Sequence, residues 1–144
     1  MKKLLLVLIL PLLAMSVSAQ DAKDVRKEEI ASYKVAYLTK EIDLTPDEAK
    51  KFWPIYNAMQ EEIEGIRKEK RAKMAAFRAK PETMTDKDAE ISIEARFVYK
   101  QKELDIEKKY SERFKAVLPV KKIAKLYRAE EGFKKELIRK IQDK

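Results

Sequence analysis

From Ala49 to Ile66 the apolar side chains Ala49, Phe52, Tyr56, Met59, Ile63 and Ile66 recur three or four residues apart, with Trp53 beside Phe52. At about 100° per residue they fall on one stripe of an α-helix; a strand, whose side chains alternate every second residue, would scatter them over both faces. The preceding segment, Thr45-Pro46-Asp47-Glu48, marks where that helix begins. Thr45 can cap the first turn and Glu48 can close a capping box. Pro46 loses nothing at the first helical position, because its missing N–H would have no partner there. Helix two is therefore expected over 46–78. Pro54 lies inside it and removes the hydrogen bond to the Lys50 carbonyl, so a kink is expected there; a charged run from Arg67 to Lys73 precedes Met74 and Phe77, which resume the stripe.

The remainder reads the same way. Ala, Glu, Lys, Leu and Arg make up more than half of the chain, which has only two glycines, and no segment shows strand alternation bounded by turn residues. The expected fold is all-α, with four helices. Lys80-Pro81-Glu82-Thr83-Met84-Thr85 reads as a turn, and Thr85 with Asp88 repeats the capping pattern at the head of a third helix over 86–117. Helices two and three would each be about 50 Å long at 1.5 Å per residue, so they should pair as a long antiparallel hairpin. Helix one is expected over 24–41, with Ile30, Tyr33 and Tyr37 on one side and Val35 and Leu38 on another. Helix four opens at Leu118-Pro119 and carries Ile123, Leu126, Tyr127, Phe133, Leu137 and Ile141, with Gly132 as a local weak point.

Helix three differs from the others in having two apolar faces. Ile91, Ala95, Val98, Tyr99, Ile106, Tyr110, Phe114 and Val117 share one broad side, while Ile93, Phe97 and Leu104 point nearly opposite. A layer of long helices in so short a chain has little interior, so the second face should meet another polypeptide: a second copy of the chain in a homodimer, or a client.

The first residues read as a secretory signal. Met1-Lys2-Lys3 is a positive start, Leu4 to Leu13 is an apolar run, and Val17-Ser18-Ala19 is a small-residue cleavage pattern. The expectation is a signal peptide over 1–19, cleaved near Ala19, and one helical domain over 20–144 in the periplasm, with no stable membrane anchor after cleavage. Loss of Lys2 and Lys3 would lower the net charge from +8 to about +6. Such a chain could suit nucleic acid, but export points to anionic lipid headgroups or acidic, partly unfolded protein as what its positive surface meets.

Cysteine and histidine are both absent. That removes disulfides, thiolate and imidazole metal sites, and the usual nucleophile–base pairs, so no catalytic, cofactor or metal residues are expected. Acidic pairs such as Glu61-Glu62 and Asp86 with Asp88 read as helix-surface and helix-start charge. Phe52, Trp53 and Tyr56 read as packing core. The basic run reads first as a solvated face. Because Met74, Phe77 and Arg78 adjoin Arg67, Lys70 and Arg71, the six are also the candidate client-binding residues.

A shift of 74 positions places Leu44, Ala49, Lys51, Phe52, Trp53, Met59 and Ile63 on Leu118, Ile123, Lys125, Leu126, Tyr127, Phe133 and Leu137 without a gap. Periodicity alone would align the stripes, but not also a leading leucine beside a proline-containing helix start, so the pattern reads as a duplicated motif. With Leu44, Thr45, Pro46 and Glu48 in the first copy, and Leu118 and Pro119 in the second, it resembles the Spy/CpxP family of periplasmic proteins. Their hallmark is leucine-threonine-x-x-glutamine near the start of two helices; Glu48 stands here in the glutamine's place. Leu44 to Asn57, with Phe52-Trp53-Pro54-Ile55-Tyr56, is similar also to small exported proteins labelled sensors of extracytoplasmic sigma factors. The resemblance implies a thin, curved, four-helix protomer that forms an antiparallel homodimer. It also implies an ATP-independent chaperone for unfolded or partly folded envelope proteins, or a regulator that binds a periplasmic sensor domain or an anti-sigma factor.

Overall fold

The computed structural model describes residues 14–79 and 81–142, and side-chain surroundings from residue 24 onward except at positions 76, 78, 79, 81 and 141. The apolar run read as the core of the signal peptide therefore lies outside the described residues. Among those described there are four α-helices, a single 3₁₀ turn and no strand: α1 Ala14–Ile42, α2 Pro46–Ala79, the 3₁₀ turn Pro81–Thr83, α3 Asp86–Lys115 and α4 Val120–Gln142. None of these helices is long and apolar enough to cross a membrane.

Both capping patterns form. The Thr45 N–H donates to Glu48 Oε2 at 2.9 Å and the Glu48 N–H donates back to Thr45 Oγ1 at 3.3 Å. Thr85 and Asp88 close the same box at the head of α3. These local hydrogen bonds explain why the starts of α2 and α3 fall where the sequence places them. Helix α1 begins well before the expected Asp24, at Ala14: the residues between hold neither glycine nor proline to break a helix. Pro54 is exposed within an unbroken α2, where water can serve the carbonyl that its ring leaves without an N–H.

The chain divides into two compact units. Among the described residues one comprises 42–127, the other 14–41 together with 128–142. Within the first, α2 and α3 run antiparallel. Phe52 packs on Phe114 with ring centroids 5.3 Å apart, and farther along Glu62 meets Tyr110, Glu69 meets Tyr99 and Met74 meets Ser92. Rising numbers on α2 match falling numbers on α3, as a hairpin requires. Phe52, Tyr56, Met59 and Ile63 are buried, together with Tyr110, Phe114, Leu118, Ile123 and Leu126. In the other unit Tyr33, Tyr37 and Phe133 form an aromatic cluster, Phe133 lying 5.5 Å from Tyr33 and 5.6 Å from Tyr37.

Several expected core positions are not core. Val35, Ile91, Val98 and Tyr127 are exposed, whereas Ala129, which the stripe of helix four omitted, is buried. Each misplaced residue lies at the margin of its stripe, where a rotation of a few tens of degrees about the helix axis decides between neighbour and solvent.

Candidate binding surface

The seam between α2 and α3 carries a repeated polar arrangement. Glu62 and Glu69, seven residues apart on α2, each accept a tyrosine hydroxyl and a lysine from α3: Glu62 takes Tyr110 at 2.7 Å and Lys109, and Glu69 takes Tyr99 at 3.0 Å and Lys102 at 3.2 Å. Each of these lysines also sits 5.0 Å from the ring centroid of its own tyrosine. The lysine, and then the phenol, hold both carboxyls below the usual carboxylate range. The hydrogen bond to Glu62 raises the Tyr110 phenol, and burial, with Glu69 second, raises that of Tyr99.

The basic run of α2 lies beside this seam, and part of its charge is engaged. Arg67 donates to Glu103 Oε2 through Nε and Nη2 at 3.2 and 3.1 Å, and Arg71 pairs with Glu64. Both guanidinium side chains remain about half exposed. Lys70 is half-buried. Two members of the candidate client-binding set turn toward α3. Met74 is buried against Ala95 and Tyr99, and half-buried Phe77 packs on the same cluster. They face inward because the helical period that carries Ile63 and Ile66 into the hairpin carries them there too. The side chain of Arg78 lies outside the described residues.

The apolar surface is instead on the far side of α3. Ile93 is 59% exposed, Phe97 63% and Leu104 42%. Spacings of four and seven residues set them on one stripe about 16 Å long at 1.5 Å per residue. Exposed Arg96, Lys100 and Lys108 flank it, with Glu90 and Glu107. Ile91 and Val98, expected in the core, are exposed at the rim of a shallow groove that Glu69, Lys73, Glu94 and Lys102 also line. This helix thus leaves five large apolar side chains in contact with solvent. Among the described residues no group of three or more acidic side chains is placed to hold a metal ion.

The starts of α2 and α4, which the sequence reads as two motif copies, meet directly. Lys122 Nζ donates to Glu48 Oε2 at 2.6 Å and to the carbonyl of Asp43, and Leu118 is buried. Leu44 is half-buried, while Thr45, Pro46 and Pro119 are exposed at the helix starts. Comparison with family models, with curated proteins and with solved structures finds no match for this chain.

Proposed function

We propose that this chain is an exported protein-binding protein of the Spy/CpxP kind, a nucleotide-independent chaperone that works as a homodimer in the periplasm. The observation that carries the reading is the outer stripe of α3, where Ile93, Phe97 and Leu104 stand in solvent, flanked by Arg96, Lys100 and Lys108 and by Glu90 and Glu107. Large apolar side chains grouped in this way on a solvated helix mark a surface that meets another polypeptide. The two motif copies and the hairpin between them support the family resemblance.

Magnitudes favour a loose hold. Burying three such side chains releases roughly 5 kcal/mol at about 1.5–3 kcal/mol each. Losses of translational and side-chain freedom on association are of comparable size, so binding through this stripe is weak unless charge adds to it. A basic surface supplies that addition for acidic segments of an unfolded client, and weak contacts let the client rearrange while held.

The test is light scattering of a chemically denatured acidic client diluted into buffer with the protein lacking residues 1–19. Suppression of scattering at equimolar dimer is expected, and Phe97→Glu should weaken it several-fold while the helical circular-dichroism signal at the assay temperature is kept. Absence of suppression by the wild type rejects the reading. Recovery from envelope extracts of one stoichiometric partner, in place of many weak ones, would assign the surface to a regulator of a sensor domain.

A further inference from the structure

Positions 48 and 122 each fall four residues after the leading leucine of their motif copy, Leu44 and Leu118. They are also the pair that bonds across the copies, at the separation of 74 residues that relates the copies in sequence. In a duplicated unit, equivalent positions touch only where the copies come together. At that point this chain places opposite charges, each side chain 19% exposed, a depth at which neither is left to water alone.

The bonds are directional. Glu48 Oε2 accepts the Thr45 N–H that closes the cap of α2 and accepts Lys122 as well. Lys122 also donates to the Asp43 carbonyl, and Asp43 has a left-handed backbone with φ of 59°. Such a conformation is uncommon for a residue other than glycine and is kept where surrounding contacts enforce it. We infer that Glu48 and Lys122 are the two halves of a conformational lock, which pins the start of α4 to the start of α2 by way of the turn at Asp43.

The lock has a definite polarity. A carboxylate suits position 48 because it faces the N–H groups at the head of α2, and an ammonium suits position 122 because it must donate to a carbonyl. Removing one partner leaves the other charge without its opposite and with one remaining bond, Glu48 to Thr45 or Lys122 to Asp43, whereas removing both leaves no half-buried charge without its opposite.

A double-mutant cycle in the full chain tests this, with thermal melting as one readout and amide hydrogen exchange as the other. Glu48→Gln keeps an acceptor for Thr45, and Lys122→Met keeps the lysine's stem. Each single change should lower the melting temperature by about 3–5 °C, and the double variant should lose clearly less than the two losses combined. In Lys122→Met, exchange should quicken about tenfold or more at Ile123 to Lys125 and stay unchanged in the first turn of α2, which keeps its cap. The exchanged pair, Glu48→Lys with Lys122→Glu, should not recover stability. Strictly additive losses, unchanged exchange at the head of α4, or full recovery by the exchanged pair would each overturn the lock.

Discussion

The two glycines face opposite circumstances. A Cβ added at Gly65, on the exposed side of α2, would meet nothing within 4 Å, whereas one added at Gly132 would stand 2.7 Å from the Tyr37 hydroxyl oxygen. Alanine is favoured over glycine inside a helix by about 1 kcal/mol, so Gly65→Ala should raise the melting temperature by about 2–4 °C. At Gly132 the same preference is opposed by a phenol that cannot easily move, because its ring is packed on Phe133. Gly132→Ala should therefore lower the melting temperature. In a Tyr37→Phe background it should raise it, since the nearest remaining atom is a ring carbon at 3.7 Å. Equal responses at the two glycines, measured by circular dichroism, would contradict the close approach. Sequence alone shows Gly132 only as a weak point in a helix, because the residue that needs its smallness belongs to a different helix.

At the scale of the elements, the hairpin's stability should have an acid edge and an alkaline edge with separate origins. The carboxyls of Glu62 and Glu69 titrate below their ordinary range because lysine and phenol stabilise the charged form. Their contribution is fully present above the unfolded carboxylate pKa and is lost as pH falls through the depressed folded value, so the edge lies below about pH 4. Tyr110 and Tyr99 are raised, so theirs is fully present below the unfolded phenol pKa and is lost as pH rises through the folded value, above about pH 10. Glu62→Gln with Glu69→Gln should flatten the acid limb of a plot of melting temperature against pH, leaving a weaker pH dependence below pH 4 than in the wild type. An unchanged acid limb would show that other groups set it. The helices themselves were legible, because caps and stripes are local: the start of α2 at Pro46 and of α3 at Asp86 follow from Thr45 and Thr85. The polar seam was not. Glu62 meets Tyr110 only in one register of α2 on α3, and that register is set by packing spread along both helices, Phe52 on Phe114 included. The candidate binding residues divide by period alone: it sets Ile93, Phe97 and Leu104 apart, and by returning Met74 and Phe77 to the stripe of Ile63 and Ile66 it turns those two toward α3 despite their basic neighbours.

Charge and apolar surface act together at the scale of the whole molecule, and salt separates their effects. The chain carries a formal net charge of +8, or about +6 without its first 19 residues. Two copies meeting through the stripe of Ile93, Phe97 and Leu104 bring like charges together, while an acidic client brings the opposite charge to the same place. Ions at 0.1 M screen exposed charges beyond about 10 Å, which weakens the repulsion in the first case and the attraction in the second. Self-association should therefore tighten as salt rises from about 50 to 500 mM, seen as a higher sedimentation coefficient at fixed protein concentration, while capture of an acidic unfolded client weakens in the same series. Phe97→Glu removes apolar area and adds a negative charge at a position 63% exposed, so it should diminish both processes while the separated chain stays folded. If client capture instead strengthened with salt, the apolar stripe alone would be the attracting element and the lysines and arginines around it would be bystanders. If self-association ignored both salt and Phe97→Glu, the second copy would have to dock elsewhere, and the stripe would be left wholly to the client.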